Sequence, residues 1–185
     1  MRYVLLPLLA AIPLSLGQGM TLGCYAPPYT EVVVDPVQEK CLATMIWGEA
    51  RGETAQGMAA VAHTALNRAA KSPKSGVCGV VLAPKQYSIF NNNPALRKAA
   101  LSKDIVPASK NPIDQDSWQK SVLVASMVMN GTMSDPTNGA TAYLAPKMMK
   151  LKGYLYPRWS REYERVAIID SHHFYKPIDK KVKPA

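Results

Sequence analysis

A helical pattern of small apolar side chains between residues 58 and 69 constrains the fold of this chain more than any other feature. The pattern follows Thr54, a good helix N-cap, and its apolar residues recur at i, i+3 and i+4: Met58, Val61, Ala62, Ala65, Leu66 and Ala69. Because most of these side chains are small, a neighbouring helix can approach this face closely. The pattern predicts a buried helix in a helix-on-helix core.

Another helix is predicted just before it. Asp35 is a suitable N-cap, Pro36 fits the first helical position, and an apolar stripe follows at helical spacing. We expect this helix to end where Gly48 breaks the run, which leaves Glu49 at the helix end. Residues 48–53 (GEARGE) would then hold acidic groups at a helix junction.

The remaining segments give weaker signals. Residues 72–117 are rich in Pro, Ser, Lys and Asn and lack periodicity, so we expect them to wrap the domain as irregular structure. A third helix should begin after Ser117 as its N-cap and stop at Asn130. Beyond a turn, a strand or extended loop is expected at 140–144, and a further short strand between residues 166 and 175. The predicted fold class is α+β, mainly α, with a small strand region.

Length and charge limit the domain organisation and the partners. A chain of 185 residues with 48% hydrophobic composition can bury one sizeable core but not two, so we expect one domain at 35–177, a linker at 20–34 and a basic tail at 178–185. The formal charge of +9 favours an anionic polymer or a membrane surface as partner. Nucleic acid is not expected, because the basic residues are scattered and no nucleic-acid reading motif is present.

The N-terminus has the pattern of an export signal. Arg2 precedes an apolar run over residues 3–16, and small residues follow it. Pro7 and Pro13 interrupt the run, and it is short for a membrane span, which needs about 20 apolar residues. We assign residues 1–19 to a signal peptide or weak anchor with transient membrane contact. The protein is expected in the periplasm or outside the cell, secreted or released from the inner membrane.

Three cysteines, Cys24, Cys41 and Cys78, leave one unpaired however they are joined in an oxidising compartment. A disulfide between Cys41 and Cys78 is conceivable if Cys24 is modified. Cys41 as a small core residue on its helix is an equal alternative.

Glu49 is the candidate catalytic group. Breaking a glycosidic bond needs an acid that protonates the leaving oxygen, and a desolvated carboxyl group can do this near neutral pH. Glu49 follows an apolar helix face and Trp47, a setting that would place its carboxyl group partly in a cleft. A solvated glutamate in a helix-ending turn is the alternative interpretation.

Several motifs resemble one family. Residues 48–53, followed by Gly57, residues 60–62 and Asn67-Arg68, resemble the opening motif of the SleB-type cell-wall hydrolases, the spore-cortex-lytic enzymes and their phage relatives. Later segments resemble the family in the same order: residues 86–88 (QYS), 135–140 (DPTNGA) and 172–175 (HHFY). The resemblance covers about residues 41–175.

The resemblance implies a mainly helical, lysozyme-like domain that cleaves peptidoglycan between N-acetylmuramic acid and N-acetylglucosamine. Glu49 matches the position of the family's catalytic acid. The implied reaction is that of a lytic transglycosylase, in which the 6-hydroxyl of the muramic acid closes an anhydro ring in place of attack by water. Endolysin and wall-remodelling enzyme are the implied roles, and a noncatalytic peptidoglycan-binding protein is the alternative.

Further site residues are assigned as substrate contacts: Arg51, Gln86, Tyr87, Ser88, Tyr143 and His172. Amide and hydroxyl groups bind N-acetyl groups and aromatic rings stack on sugars, with surface exposure or core packing as the alternatives. Glu53 is the rival carboxyl group, but beside Thr54 it more plausibly stabilises the N-terminus of the second helix. Trp159 is either a sugar platform or a cap on the core.

No metal or cofactor is expected, because HExxH is absent and His63 is a lone imidazole among helical residues. His172 follows Asp170-Ser171, where the family usually has Gly-Asn, so this loop departs from the family pattern. Peptidoglycan is the expected partner of a monomeric enzyme.

Overall fold

The computed structural model describes residues 33–91, 93–102 and 111–178. The predicted export segment, Cys24, nearly all of the predicted linker and the tail beyond residue 178 lie outside these ranges. The described part is mainly helical: α1 Pro36–Ala50, α2 Ala55–Lys71, α3 Gly76–Val81, α4 Ser88–Asn91, α5 Pro94–Leu101, α6 Pro112–Met129 and α7 Pro146–Leu151. A small antiparallel sheet has the order β1-β3-β2, formed by β1 Ala142–Leu144, β2 Tyr163–Ile169 and β3 His172–Pro177. The predicted fold class is confirmed.

The core is built on α1, which packs against α2, α3, α5 and α6. Both predicted helix starts are confirmed, since Asp35 Oδ1 accepts a hydrogen bond from Val37 N at 2.8 Å and Thr54 Oγ1 accepts one from Gly57 N at 3.2 Å. The small-residue face of α2 is fully buried around Ala60 and Ala65. Within the described residues, no helix is both long enough and apolar enough to cross a bilayer.

The end of α1 differs from the prediction, because the helix continues through Gly48 to Ala50. Gly48 does not terminate the helix; it lets Ile89 of α4 pack directly onto the helix backbone. A Cβ at this position would collide with the Ile89 side chain. The glycine therefore brings α4 against the last turn of α1, the turn that carries Glu49.

The segment predicted to be irregular contains α3, α4, α5 and the start of α6. These three short helices span only 4 to 8 residues, too few to show a helical period. Ser117 was the wrong N-cap for α6: Asn111 caps the helix by accepting from Ile113 N at 3.0 Å, and Ser117 lies buried inside it. An Asn-Pro pair at a helix start, the same pattern as Asp35-Pro36, was the signal that was missed.

The strand region was partly predicted. The turn before β1 is confirmed, and Asp135 organises it by accepting from Thr137 N at 2.7 Å and from Asn67 Nδ2 of α2 at 2.9 Å. Burial acts to raise the pKa of Asp135, but these hydrogen bonds outweigh it and lower the pKa. The C-terminal segment forms two paired strands in place of one, joined at Asp170, which has φ of 50°.

The structure joins Cys41 to Cys78 by a disulfide, which links α1 to α3. Cys41 is also completely buried. The two alternatives for Cys41 are thus both realised, since it is a core residue and a disulfide partner.

Candidate active site

A cleft of about 870 Å³ is lined by helical residues on one side and by strand residues on the other. It brings together most of the residues that the sequence singled out: Glu49, Gln86, Tyr87, Ser88, Tyr143 and Trp159. Neither Arg51 nor His172 is among the lining residues. Glu49 is the only carboxylate among the described residues that line it.

The carboxylate of Glu49 is held from two sides. Ser88 Oγ donates to Oε1 at 3.0 Å, and Ile89 N donates to the same oxygen at 3.2 Å. The hydroxyl of Tyr143 lies 3.2 Å from Oε2 and donates to it. Because a tyrosine hydroxyl can also accept, Oε2 is the oxygen that can carry a proton without losing its partner. The geometry therefore suits a carboxyl group that gives and regains a proton at Oε2.

The hydroxyls of Tyr143 and Tyr87 in the cleft stay protonated. Burial, followed by the nearby charge of Glu49, raises the pKa of Tyr143 well above its ordinary value. Burial also raises the pKa of Tyr87, although Arg68 opposes this effect. Arg68 Nη1 donates to the Tyr87 hydroxyl at 3.3 Å and its guanidinium lies 5.5 Å from the ring centre. Tyr143 thus remains available as a hydrogen-bond donor to Oε2 of Glu49.

His172 lies behind the cleft wall and not in it. Its ring is buried and meets the ring of Tyr143 edge to face, with 5.1 Å between the centroids. Burial lowers the pKa of His172, while the nearby Glu53 acts in the opposite direction. Its visible role is to support the tyrosine that contacts Glu49.

Glu53 is engaged with the turn between β2 and β3. It accepts hydrogen bonds from Ser171 N at 3.2 Å and Ser171 Oγ at 2.5 Å, and it lies 3.6 Å from His172 Nδ1. The acidic group that is hydrogen-bonded at the start of α2 is Asp170, which accepts from Thr54 N at 2.9 Å. Asp170, from the hairpin, thus makes the hydrogen bond at this helix end, and the electrostatic stabilisation predicted for Glu53 stays a prediction.

The structure places Arg51 outside the cleft and Trp159 in its lining. Arg51 is exposed and its guanidinium lies 5.3 Å from the ring centre of Trp47, so the structure does not bring it to the cleft. Trp159 lines the cleft and is held edge to face by Tyr163 and Tyr175, with centroid distances of 5.3 and 5.6 Å. The sugar-platform interpretation of Trp159 is compatible with this position.

His63 is a structural residue, since it is buried and its Nε2 donates to the carbonyl of Met133 at 3.0 Å. Across residues 33–91, 93–102 and 111–178, no cluster of three or more His, Cys, Asp or Glu side chains is arranged to hold a metal ion.

Sequence reasoning missed three contributors to this site. The backbone amide of Ile89 holds Glu49, and a backbone group leaves no signature in residue type. Arg68 and Lys71 line the cleft from α2, but their positions in the cleft follow only from the packing of that helix.

Comparison with known proteins assigns the family. Residues 52–175 match the family model described as Cell Wall Hydrolase. The chain belongs to the cell wall hydrolase family. Membership makes it an enzyme that degrades peptidoglycan, and it confirms the resemblance to the SleB type. The matched region of this cell wall hydrolase begins at Gly52, after Glu49, so the match leaves the role of Glu49 open.

Two solved structures share the fold of this cell wall hydrolase. The catalytic domain of SleB from Bacillus cereus is 21% identical with a TM-score of 0.50, and the match covers 78% of this chain and 93% of that one. The catalytic domain of the germination-specific lytic transglycosylase SleB from Bacillus anthracis is 22% identical with a TM-score of 0.52, covering 82% and 100%. The shared fold is lysozyme-like, as predicted. Among curated proteins, none matches the chain significantly.

Proposed function

We propose that this cell wall hydrolase cuts the glycan strand between N-acetylmuramic acid and N-acetylglucosamine as a lytic transglycosylase, with Glu49 as both acid and base. One observation carries the proposal: the residues described around the cleft include a single carboxylate. Glycosidases that use water usually need two carboxyl groups flanking the bond, whereas an internal hydroxyl nucleophile needs only one acid/base. The lytic transglycosylase activity named for the Bacillus anthracis protein agrees with this reaction.

The reaction follows from the two oxygens of Glu49. Protonated Oε2 gives its proton to the glycosidic oxygen as the bond from the muramic acid C1 to that oxygen breaks. The 6-hydroxyl of the same sugar then attacks C1, and the Glu49 carboxylate takes the proton from that hydroxyl. A 1,6-anhydro ring forms and the starting protonation state of Glu49 returns. Oε1 stays bound to Ser88 and Ile89 throughout, which keeps the carboxyl group aimed.

The other cleft residues suit an amino-sugar polymer. Gln86, Tyr87, Ser88 and Tyr143 offer amide, hydroxyl and aromatic groups to the sugars and their N-acetyl groups. Three cations also line the cleft and would attract the carboxylates of muramic acid and of the stem peptides: Arg68, Lys71 and Lys85. Arg51 and His172 are not among the residues that line this cleft.

Export is part of the proposal. A structural disulfide between Cys41 and Cys78 fits an oxidising compartment such as the periplasm or the cell exterior. An endolysin or a wall-remodelling enzyme would both act there. We propose that it works as a monomer on peptidoglycan.

The test is to incubate the full-length protein with purified peptidoglycan and to identify the released fragments by mass spectrometry. Anhydromuramic ends are expected from the wild type, and no new ends from Glu49→Gln. Reducing muramic ends would show that water captures the sugar and would overturn the transglycosylase assignment. Binding to walls without any released fragment would support the noncatalytic alternative.

A further inference from the structure

One exposed surface of the molecule is strongly apolar. Five large side chains between residues 148 and 156 face solvent: Met148, Leu151, Tyr154, Leu155 and Tyr156. Leu155 is 91% exposed and Leu151 is 79% exposed. Apolar side chains of this size that are exposed within one short segment often mark an interaction surface. We call this surface, residues 146–161, the α7 edge.

The α7 edge is also strongly cationic. It contains five basic residues and no acidic one: Lys147, Lys150, Lys152, Arg158 and Arg161. All five are exposed. None of them forms an ion pair with a carboxylate in the part of the chain that the structure describes. Their charge is therefore available to an anionic partner.

The backbone brings two tyrosines and two lysines of the α7 edge together. After α7 ends, Gly153 takes φ of 66°, and Tyr154 N donates back to the carbonyl of Met149 at 2.9 Å. This reversal sets Tyr154 and Tyr156 beside Lys147 and Lys150 around a depression of about 410 Å³. The edge is thus a folded surface, not an extended tail.

We propose that the α7 edge docks on an anionic lipid bilayer. Lysines whose stems lie along apolar surface, tyrosines with an apolar body and a polar tip, and exposed leucines are the side chains of protein surfaces that sit at a membrane interface. Uncompensated cations supply attraction to anionic headgroups. A glycan strand would use the cations and the tyrosines, but it would leave Leu151 and Leu155 in water.

The docking surface adjoins the cleft along the chain. Tyr143 precedes the edge, and Trp159, a cleft residue, lies within it. A docked enzyme would therefore hold its cleft close to the membrane. The proposal does not depend on Glu49 or on the reaction type, because lipid binding and wall cleavage are measured separately.

Hydrogen–deuterium exchange on the full chain tests the site directly. Vesicles of phosphatidylglycerol and phosphatidylcholine should slow exchange of the amides of residues 147–158, and vesicles of phosphatidylcholine alone should not. The proposal is overturned if anionic vesicles leave the exchange rates of these amides unchanged. This holds even if residues 1–32 by themselves bind the protein to the vesicles. The proposal is equally overturned if these amides are protected by soluble peptidoglycan fragments only, or are already fully protected in the free protein.

Matched variants give the energetic test by vesicle cosedimentation. The double variant, Leu151→Ser with Leu155→Ser, should lower partitioning onto anionic vesicles by about tenfold or more. The triple variant, Lys147→Gln with Lys150→Gln and Lys152→Gln, should lower it on the order of a hundredfold. Two control substitutions at exposed positions outside the α7 edge, Ile113→Ser and Lys98→Gln, should leave partitioning unchanged. All variants should cleave membrane-free peptidoglycan at the parent rate. Equal partitioning of edge and control variants would contradict the proposal.

Discussion

Glu49 lies in the last turn of α1 and Glu53 in the short connection to α2, yet their carboxylates meet different surroundings. Glu49 lines the cleft and accepts from Ser88, Ile89 and Tyr143, of which Ser88 and Tyr143 also line the cleft. Glu53 accepts from Ser171 in the β2–β3 turn and does not line the cleft. The partners that each carboxylate meets, and not its place in the motif, therefore distinguish the reactive role proposed for Glu49 from the structural role of Glu53.

The carboxylate of Glu53 also supports the surroundings of Glu49, the proposed acid/base. Glu53 fixes the turn that begins β3, and β3 carries His172 against the ring of Tyr143. Tyr143 in turn donates to Glu49. Changes near Glu49 should therefore act on the reaction rate, while changes near Glu53 should act first on stability.

Among substitutions of the neighbours of the two glutamates, Tyr143→Phe is expected to have the largest effect. The variant loses a hydrogen bond to a charged group, which contributes about 1.5–3 kcal/mol, so kcat should fall roughly 10- to 100-fold. The ring that packs on His172 is retained, so the free energy of unfolding should fall by no more than this same hydrogen-bond contribution of about 1.5–3 kcal/mol. Steady-state digestion of purified peptidoglycan measures the rate, with Tyr154→Phe as the control. Wild-type turnover in Tyr143→Phe would contradict the role of this hydroxyl.

Ser171→Ala should lower stability while leaving the reaction rate nearly unchanged. Loss of the hydroxyl that donates to Glu53 should lower the free energy of unfolding by about 1.5–3 kcal/mol, while kcat stays within a few-fold of the parent. Urea denaturation measures the first quantity. Ser171→Thr, which keeps a hydroxyl, should restore most of the stability. If Ser171→Ala lost activity without losing stability, the division between the two regions would fail.

The pH dependence of folding stability that His172 causes should be a smaller effect than that of Ser171→Ala. Burial holds the pKa of His172 below its ordinary value near 6.5, so the folded protein binds this proton less readily than the unfolded chain does. Stability from this group is complete above about pH 6.5 and is lost as the pH falls through the folded pKa. His172→Phe keeps an aromatic ring and removes the titration. The stability advantage of the wild type over His172→Phe should shrink between about pH 8 and pH 5; an advantage independent of pH would contradict this.

Asp170→Asn should give the smallest effect. The asparagine keeps an oxygen that can accept from Thr54 N and tolerates the left-handed backbone at this position. Only the negative charge at the N-terminus of α2 is lost, which should lower the free energy of unfolding by about 0.3–1 kcal/mol at low salt. Thermal unfolding at low and high salt checks this, since salt should narrow the difference. A loss above about 2 kcal/mol would mean that the charge itself holds the hairpin.

The sequence predicted the long helices better than the short ones, for a physical reason. α1 and α2 carry N-caps and apolar faces longer than a helical period, so their own residues specify them. α4 spans 4 residues and exists because Phe90 is buried and Ile89 packs on Gly48. Such an element is specified by tertiary contacts that lie far apart in the sequence.

The candidate site was predictable to a similar degree. The motif around Glu49 and the candidates Ser88 and Tyr143 came from the sequence, and the structure brings all three into contact. Arg51 was singled out because it is near Glu49 in sequence, but helix geometry turns it outward over Trp47. Arg68 reaches the cleft instead, from the far end of α2.

A side-by-side comparison of Glu49→Gln and Glu53→Gln tests the central claim most directly. The initial rate of fragment release from purified peptidoglycan and the urea midpoint are measured for both variants and the parent. Glu49→Gln should lose roughly 10²- to 10⁴-fold in rate with its midpoint unchanged, and Glu53→Gln should keep most of the rate with a lower midpoint. A Glu49→Gln variant that digests walls at the parent rate, or a stable Glu53→Gln variant that has lost activity, would contradict the account.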